Sequence, residues 1–537
     1  MITTIKLKFG KAPAAAAEII NATPITIFVG PNNSGKSKVL SEIHEFCVRG
    51  STNATDVILK EIEFNNFTAQ LAEEKALPIT LEPRSGDVLQ PGDIMVGSYA
   101  SRMPVKREGL IRSLQNTTAD KRFFCQAYLR WKTLTLSGQN RIALVSEDVG
   151  GDLQHPINNL GILFSDDVKR KEVRRIIHDA FDSYLVIDPT NLGRLRFKLS
   201  PREPVNDTEE RGLHQEAVQF HAAASPIEIA SDGVKAFTGI ITAIIAGDPE
   251  VITIDEPEAF LHPSLSFNLG KEIGRATTGS EKRLLVSTHS ADFVMGCIQS
   301  GARLNIVRLT YQEGTATARI LPSQAILRLM RNPLLRSTGV LNGLFYKFVI
   351  VTEADADRAF YQEINERLQL FEPEWGISNC LFIHAQNRQT VPTIIRPLRE
   401  MGIPAAGIVD IDVLKEGGAV WSDFLGSGFI PEIERQSLGQ MRGQIKQKFD
   451  ESGEDMNRDG GVEILLEDDK EAANNLFDRL GNYGLFVVRR GEMESWLPEL
   501  GAQGHGPTWL INMFEKMGED PESNSYLKPS DSDVCAS

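Results

Sequence analysis

The sequence predicts an α/β protein with two successive domains, each built on a parallel sheet. The apolar run "ITIFVG" is followed by a short polar loop and by "KSKVLSEIHEFCV", in which apolar residues recur at the spacing of an α-helix. Strand and helix patterns alternate again at "VITIDEPEAFLHP" and "RLLVSTHSADFV", which is typical of a parallel sheet covered by helices. A further series of apolar strands begins at "FYKFVIVTE", where we expect a second α/β domain.

The length of 537 residues is large for a single hydrophobic core and favours two or three domains. We predict the first domain over residues 1–345, with a loop-rich insertion of mixed pattern at about 50–225 that could serve dimerisation. The second domain is predicted over residues 346–518. Residues 519–537 have the composition of a flexible tail.

The composition narrows the functional classes. A formal net charge of -15 argues against a generally basic nucleic-acid coat, although a local basic surface remains compatible with that average. The five cysteines are far apart and include no CxxC pair, so the sequence predicts neither a zinc site nor a disulfide framework. No apolar stretch approaches the ~20 residues of a membrane helix, and the start "MITTIKLKFG" lacks a signal-peptide pattern. We therefore expect a cytoplasmic protein without membrane association.

The segment "GPNNSGKS" matches the pattern GxxxxGK[ST] and lies between an apolar strand and a helix, which is the context of a phosphate-binding loop. Its glycines let backbone N–H groups converge on phosphate oxygens, its lysine reaches the β and γ phosphates of ATP, and its last serine holds Mg²⁺. The alternative is a glycine turn with a surface lysine. The predicted nucleotide-binding residues are Gly30, Asn33, Ser34, Gly35, Lys36 and Ser37.

Two acidic residues follow the strand in "VITIDEPE". At the carboxyl end of a parallel strand, Asp255 would hold the Mg²⁺ through water, and Glu256 would orient or deprotonate the attacking water. Without the phosphate loop the same pair would be read as a solvated strand end. The two motifs together predict an ATPase.

Two further segments indicate the type of ATPase. His289 ends the strand "LLVSTHS", where a histidine can contact the γ-phosphate or simply cap the strand. In "IASDGVKAF", Ser231, Asp232 and Gly233 begin a helix, either as a plain N-cap or as a turn that binds phosphate.

The order phosphate loop, small-residue turn, "DE" strand and histidine resembles the ATP-binding-cassette class. This resemblance implies that Ser231 and Gly233 act across a dimer interface, so that two chains close on two ATP molecules. Val234 stands where that class usually has a second glycine, and Gln139 in "LSGQNR" is a candidate for the glutamine loop of that class. No heptad repeat is present, so we do not expect the long coiled-coil arm of chromosome-maintenance ATPases.

Acidic residues also follow three strands of the second predicted domain. Carboxylates gathered at one edge of a parallel sheet cannot all stay ionised unless they bind cations, and their oxygens suit Mg²⁺ or Mn²⁺. Two such ions can stabilise both oxygens of a phosphodiester displacement. The alternative is a set of separate solvated strand ends. The residues are Glu353 and Asp357 in "FVIVTEADADRAF", Asp410 and Asp412 in "GIVDIDVL", and Glu492 and Glu494 in "VVRRGEMESW".

Asp410 and Asp412 are expected on one side of an extended segment, and Asp357 lies one helical turn beyond Glu353. This pattern resembles the Toprim domain, in which a glutamate after one strand and a DxD after a later strand bind the metal. The resemblance implies metal ligation and catalysis by Glu353, Asp357, Asp410, Asp412 and Glu494. Ala354 replaces the usual glycine, and Asp355 is an alternative to Asp357.

A cassette ATPase followed by a Toprim domain resembles the OLD (overcoming lysogenization defect) family of ATP-dependent endonucleases. The resemblance implies a DNA substrate, a homodimer or higher homo-oligomer, and a role in anti-phage defence alongside a partner protein or RNA. The competing hypothesis is an ATP-driven sensor or scaffold whose acidic site binds metal or a partner without cutting. His505 and Lys516 are the candidates for a catalytic basic residue.

Two short stretches could contact DNA phosphates, although a charge run is more often a solvated face. The first is "DDVKRKEVRR" on a predicted helix, and the second is "RLMRNPLLR" just before the first Toprim-like strand. The basic residues concerned are Lys169, Arg170, Lys171, Arg174, Arg175, Arg328, Arg331 and Arg336.

Overall fold

The computed structural model describes residues 1–98 and 101–529. The chain divides into two compact units, Met1–Ser323 and Gln324–Ser537. The domain limit predicted from the sequence, between residues 345 and 346, falls later in the chain, immediately before the first strand of the second unit.

The first unit contains strands β1 to β16 and helices α1 to α12. The strands are β1 (Ile2–Leu7), β2 (Ile19–Asn21), β3 (Ile25–Val29), β4 (Leu59–Phe64), β5 (Thr80–Leu81), β6 (Asp93–Gly97), β7 (Arg102–Lys106), β8 (Thr133–Leu136), β9 (Asp148–Val149), β10 (Tyr184–Asp188), β11 (Arg194–Ser200), β12 (Ser225–Pro226), β13 (Val251–Asp255), β14 (Arg283–Ser287), β15 (Leu304–Gln312) and β16 (Thr315–Leu321). The helices are α1 (Lys36–Arg49), α2 (Ala69–Ala76), α3 (Arg107–Gln115), α4 (Lys121–Ala127), α5 (Asn140–Ala143), α6 (Asn159–Ser165), α7 (Asp167–Phe181), α8 (Asp207–Arg211), α9 (Gln215–Ala223), α10 (Asp232–Ile245), α11 (Pro263–Thr277) and α12 (Ala291–Gln299).

The main sheet of the first unit has the strand order β16-β15-β3-β14-β13-β8. All neighbours in it are parallel except β16, which pairs antiparallel with β15 at the edge. Every residue of β3 is buried, as expected for a central parallel strand covered on both faces. Strands β3, β14 and β13 are neighbours in the sheet and run parallel. The segments that follow them, which are the phosphate loop, the segment with His289 and the "DE" pair, therefore lie at the same edge of the sheet.

The segment 50–225 contributes to the core of the first unit as well as to its periphery. Strand β4 pairs with β1 in a separate three-stranded antiparallel sheet, and β8 is the edge strand of the main sheet next to β13. Buried side chains such as Ile5, Ile43, Ile62 and Phe124 join β1, α1, β4 and α4 in one hydrophobic cluster. Two strands of this segment therefore belong to sheets that begin before residue 50.

The second unit is built on the parallel sheet β18-β17-β19-β20. Its strands are β17 (Phe348–Thr352), β18 (Cys380–His384), β19 (Ala405–Asp410) and β20 (Leu485–Val488). The helices are α13 (Ser323–Arg331), α14 (Pro333–Ser337), α15 (Asp355–Phe371), α16 (Val391–Glu400), α17 (Gly418–Ser427), α18 (Glu432–Ser452), α19 (Glu467–Gly481) and α20 (Pro507–Met517). The ends of β17, β19 and β20 share one edge, which brings the three acidic segments together.

The beginning of the predicted tail is packed onto α15. The guanidinium of Arg367 lies over the ring of Tyr526 at 3.9 Å, and that ring is 5.7 Å from the ring of Phe371. Arg367 also donates hydrogen bonds to the carbonyls of Gly518 and Leu527. Residues 530–537 of the predicted tail lie outside the described residues.

Within residues 1–98 and 101–529, no helix combines the length and the apolar character that a bilayer crossing requires.

Candidate functional site

The phosphate loop connects β3 to α1 and depends on two glycines. Gly30 has φ 147° and Gly35 has φ 93°, a region of backbone conformation that other residues rarely adopt. A Cβ on Gly30 would lie 2.1 Å from the carbonyl oxygen of Leu309 in β15. Asn33 also has a positive φ, 61°, as asparagine tolerates in tight turns. The motif glycines are therefore required by the shape of the loop.

Lys36 and Ser37 begin α1 and face different partners. The Lys36 side chain is buried, and its Nζ donates hydrogen bonds of 2.9 Å to the carbonyls of Gly30 and Pro31. Burial lowers the pKa of Lys36 to about 8, although the nearby carboxylates of Glu256 and Asp255 raise it. The Oγ of Ser37 donates to Asp255 Oδ1 at 3.0 Å. The structure thus brings together the two predicted Mg²⁺ ligands from distant parts of the chain.

Asp255 and Glu256 end β13 in different environments. Asp255 accepts a second hydrogen bond from the Oγ of Ser287, at the end of the neighbouring β14. Glu256 has φ 49°, an unusual value for a residue other than glycine, and its backbone N–H donates to the carbonyl of Ser287 at 2.9 Å. Its carboxylate is half exposed and lies near His289. The two adjacent acidic residues therefore have different side-chain partners.

His289 lies beside both Glu256 and a carboxylate that we did not single out from the sequence. Its Nε2 is 3.5 Å from Glu256 Oε1, and its backbone N–H donates to Glu258 Oε1 at 2.6 Å. Partial burial and the charge of Lys36 lower the pKa of His289, so its imidazole is neutral near pH 7. Burial raises the pKa of Glu258. The second glutamate of "DEPE" was the sequence signal that could have identified Glu258.

The small-residue turn caps α10. Ser231 is the N-cap, and its Oγ accepts the backbone N–H of Val234 at 3.5 Å. Ser231 and Asp232 are exposed to solvent. A Cβ on Gly233 would lie 2.6 Å from the carbonyl oxygen of Phe260, so glycine is needed for close packing against the loop that follows the "DE" pair.

The segment after β8 lies beside the "DE" strand. Gln139 is exposed at the N-cap of α5, which places it at the same edge of the sheet as Asp255. Arg141, two residues later, is buried and donates hydrogen bonds to the carbonyls of Asp255 and Glu256. No sequence motif marks a single arginine in this position, because its contact is with backbone atoms more than a hundred residues away.

In the second unit, Glu353 and Asp410 meet at the carboxyl edge of the sheet. The backbone N–H of Asp410 donates to Glu353 Oε1 at 2.9 Å, and the carboxylate of Asp357 accepts the N–H of Ala354 at 2.8 Å. Burial raises the pKa of Asp410 to about 8, assisted by Glu353 and Asp357, and burial raises that of Glu353 to about 7. Burial also raises the pKa of Asp357. Carboxyl groups that are buried close together lose their protons less readily than carboxyl groups in water.

Glu492, Glu494 and His505 complete this edge beyond β20. One ligand atom from each of the three lies within 4.8 Å of the others. Glu494 Oε1 is 2.7 Å from His505 Nδ1 and accepts the backbone N–H of Gly506 at 2.6 Å. The charges of Glu492 and Glu494 contribute to the raised pKa of Asp410, and the charge of Glu494 contributes to the raised pKa of Asp357.

The expectation that Asp410 and Asp412 lie on one side of an extended segment is wrong. The strand ends at Asp410, and residues Ile411–Lys415 form a 3₁₀ helix, so the alternation of an extended chain is lost. The carboxylate of Asp412 forms an ion pair with Arg388, which follows β18. Asp355, the alternative to Asp357, pairs with Arg358 at 2.7 Å. A metal role for Asp412 would require it to leave Arg388.

The two candidate basic residues differ in position. Lys516 donates hydrogen bonds to the carbonyls of Leu500 at 2.7 Å and Gly501 at 3.0 Å, which ties it to the loop before α20. His505 is exposed and adjoins Glu494, as described above. Arg388 was not singled out from the sequence, although its charge lowers the pKa of Glu353.

The first basic stretch does not provide the predicted phosphate-binding face. Arg170 and Arg174 on α7 are buried, and both form ion pairs with the buried carboxylate of Glu210. Arg175 is engaged by Glu172, Asp179 and Glu272. Lys171 is exposed, and Lys169 lies 4.0 Å from Asp166. In the second stretch Arg331 and Arg336 are exposed, while the side chain of Arg328 lies outside the described part of the chain.

Comparison with known protein families gives a match to the first unit. Residues 155–296 match the family model described as "AAA domain, putative AbiEii toxin, Type IV TA system". The matched segment contains Asp255, Glu256 and His289. A search of curated proteins finds no match.

Solved structures of SMC head domains show a weak similarity. The SmcHead bound to the C-winged helix domain of ScpA is 14% identical, with a TM-score of 0.34 over 61% of this chain and 99% of that chain. The SMC head domain from Thermotoga maritima is 13% identical, with a TM-score of 0.30 over 60% and 99% of the two chains. The Smc head domain from Pyrococcus furiosus, with an extended coiled coil and bound to the C-terminal domain of ScpA, is 13% identical, with a TM-score of 0.32 over 62% and 98%. These similarities are too low to assign a function or a partner.

The first unit is a P-loop ATPase domain of α/β architecture. Its phosphate loop, the "DE" strand and the AAA match in residues 155–296 agree on this class. The class implies that the unit binds a nucleotide, usually with Mg²⁺. Ser37 and Asp255 fit that ion, because both present oxygen ligands to one point.

Proposed function

We propose that this protein is an ATP-regulated, divalent-metal-dependent DNA endonuclease of the OLD type, with a Toprim-like second unit. The observation that carries the proposal is the meeting of Glu353 and Asp410 at the carboxyl edge of a parallel sheet. The segment with Glu492 and Glu494 follows the neighbouring strand β20, and the charges of Asp357, Glu492 and Glu494 add to the effect of burial on the pKa of Asp410. Isolated solvated strand ends would not raise the pKa of Asp410 to about 8. A cation would remove the mutual repulsion of these carboxylates.

Glu353, Asp357 and Asp410 would hold one divalent ion, and Glu492, Glu494 and His505 offer ligands for a second. Carboxylate oxygens suit Mg²⁺, and the imidazole nitrogen of His505 makes Mn²⁺ a good alternative. A pair of such ions stabilises the attacking and leaving oxygens during phosphodiester cleavage. Asp412 would keep Arg388 in place beside the site.

A divalent cation is expected to stabilise the protein more at about pH 8 than at about pH 5. The folded-state pKa values of Asp410, about 8, and Glu353, about 7, exceed their ordinary values. Folded protein therefore keeps protons that unfolded protein has lost, and stability without metal falls as the pH rises from about 4 to about 8. Thermal melting with Mn²⁺ or with a chelator across this range measures the effect, and Asp410→Asn should flatten the metal-free slope. An effect of Mn²⁺ that is the same at both pH values would contradict it.

In the first unit, Lys36 would bind the β and γ phosphates and Glu256 would orient the attacking water. His289, neutral and 3.5 Å from Glu256, would donate to the γ-phosphate. The Nζ of Lys36 donates to the carbonyls of Gly30 and Pro31, and its third N–H would bind a phosphate oxygen of ATP.

The exposed Ser231 turn supports a homodimer in which each turn completes the partner's nucleotide site. Ser231→Trp is expected to reduce ATP hydrolysis without weakening ATP binding, because the turn would contact only the partner's nucleotide. Mixing equal amounts with Lys36→Ala protein should restore about a quarter of the parental rate, since about half of the dimers are mixed and each has one intact site. A mixture as inactive as its components would argue against the shared site.

The test of the endonuclease is plasmid cleavage by the full chain with Mg²⁺ or Mn²⁺, with and without ATP. Nicked or linear product that requires the metal supports the proposal. The alternative is an ATP-driven sensor or scaffold. It is favoured by the position of Lys516, whose ammonium group donates to two loop carbonyls and is therefore a poor candidate for the basic catalytic residue. Absence of cleavage in every metal and nucleotide state would favour that alternative. A role in anti-phage defence, with a partner protein or RNA, belongs to the same proposal.

A further inference from the structure

Arg141 is a fully buried arginine whose charged group reaches the strand end that carries the ATPase carboxylates. It lies in the short helix α5 and is 1% exposed. Its Nη1 donates to the carbonyl oxygen of Glu256 at 2.8 Å and to that of Asp255 at 3.2 Å. Both bonds go to backbone carbonyl oxygens, so they restrain the backbone conformation at Asp255 and Glu256 and do not involve the two carboxylates.

The charges around Arg141 explain how its guanidinium is tolerated inside the protein. Burial lowers the pKa of Arg141, and the carboxylates of Glu258, Glu256 and Asp255 oppose this effect. The ring of Phe260 lies 5.8 Å from the guanidinium carbon. All of these partners belong to the segment 255–260, so one short loop supplies the groups that interact with the guanidinium.

That loop has a backbone conformation that needs support. Glu256 has φ 49° and Phe260 has φ 72°, and residues with side chains seldom adopt such values unless surrounding contacts hold them. The bond from Arg141 to the Glu256 carbonyl fixes the peptide immediately after the unusual φ. The direction of the Glu256 side chain, and hence its approach to His289, depends on this peptide.

The backbone of Arg141 packs closely against helix α10. A Cβ on Gly239 of α10 would lie 2.1 Å from the backbone carbonyl oxygen of Arg141, so the two helices touch through their backbones. This contact restricts the backbone position of Arg141, from which the side chain with its guanidinium extends. The same helix α10 begins with the Ser231 turn.

We infer that Arg141 is a positioning residue for ATP hydrolysis, which sets the backbone of Glu256 so that its carboxylate reaches the attacking water. The inference rests on the proposed role of Glu256 at the nucleotide site. Arg141 acts through Glu256 and makes no contact with the nucleotide in this role. Its loss should therefore lower kcat much more than it changes ATP affinity.

The experiment compares Arg141→Met and Arg141→Lys with the parent full-length protein. Methionine fills similar space but donates no hydrogen bond, and a displacement of the catalytic group by about 1 Å typically costs about 100-fold in rate. We expect kcat to fall by about that factor, with ATP binding within about threefold of the parent. Lysine keeps the charge but has a single donor group, so Arg141→Lys should show an intermediate kcat.

Arg367→Met is the matched control. Arg367 is also a buried arginine that donates to backbone carbonyls, those of Met517 and Gly518, but it belongs to the second unit. Its replacement should lower the melting temperature without a selective loss of kcat for ATP. If Arg141→Met does not fold, Arg141→Lys carries the comparison.

Three outcomes separate this inference from the proposed function. Full kcat in folded Arg141→Met, with Glu256→Gln inactive, would overturn the positioning role and leave the ATPase site intact. If both Arg141 variants lose ATP affinity and melting temperature along with kcat, Arg141 has a general structural role. That result would also overturn the positioning role. A parent protein that neither binds nor hydrolyses ATP would refute the nucleotide function itself.

Discussion

Replacing Asp410 by asparagine is expected to abolish DNA cleavage while ATP hydrolysis continues. Burial raises the pKa of Asp410, and the charges of Glu353, Asp357, Glu492 and Glu494 raise it further, so we expect its oxygen to be the ligand that the proposed metal site depends on most. Loss of one metal ligand removes several kcal/mol of transition-state stabilisation, and about 4 kcal/mol corresponds to about 1000-fold in rate. Plasmid cleavage and ATP turnover measured on the same preparation give both activities.

Asp355→Asn is the matched control for this experiment. Asp355 is two residues from Asp357, but it pairs with Arg358 at 2.7 Å and lies 3.4 Å from His384 Nδ1. Its neutralisation should leave cleavage within a few-fold of the parent. Glu353→Gln should behave like Asp410→Asn, because it removes a carboxylate charge from the proposed metal site while the amide oxygen can still accept the backbone N–H of Asp410. Cleavage unchanged in both Asp410→Asn and Glu353→Gln would refute the metal site.

Replacing Glu256 by glutamine is expected to leave ATP bound but not hydrolysed. Glutamine preserves the shape of the side chain and loses only the group that orients and deprotonates water, a contribution of about 10²- to 10⁴-fold. Lys36→Ala should instead prevent ATP binding, because Lys36 supplies the buried cation of the phosphate loop. ATP binding and turnover of the two variants, measured side by side, distinguish these roles.

The neighbouring carboxylate provides a control for Glu256. Glu258 is buried and accepts the backbone N–H of His289 at 2.6 Å, so Glu258→Gln should perturb His289 while the water-activating group remains. We expect a smaller loss of turnover than in Glu256→Gln. Normal turnover in Glu256→Gln would exclude Glu256 as the water-activating residue.

The nucleotide site was predictable because the residues that define it lie in short, continuous segments of the sequence. Eight consecutive residues form the phosphate loop, and the two glycines with positive φ stand where the motif requires them. Asp255 and Glu256 follow an apolar strand, and consecutive parallel strands bring such ends to one edge whatever the length of chain between them. The same rule predicted that Glu353 and Asp410 would meet.

The position of Asp412 was not predictable from spacing alone. Two aspartates separated by one residue share a side only while the chain is extended, and the chain turns into a 3₁₀ helix directly after Asp410. Arg388 then neutralises Asp412 from a different strand end. The spacing is local, but the choice of ion-pair partner depends on the packing of the whole sheet.

The sequence by itself determined the α/β architecture, the phosphate loop and the acidic strand ends, because periodicity and glycine conformation are local properties of the chain. Only the tertiary structure decided which charged groups stay available to ligands. In the sequence, Arg170 and Arg174 look like part of a basic surface. In the structure both are buried and bind the carboxylate of Glu210, which lies 40 and 36 residues further along the chain. Arg141 belongs to no motif and nevertheless contacts the end of β13 at Asp255 and Glu256, since contacts between distant segments form only when the chain has folded.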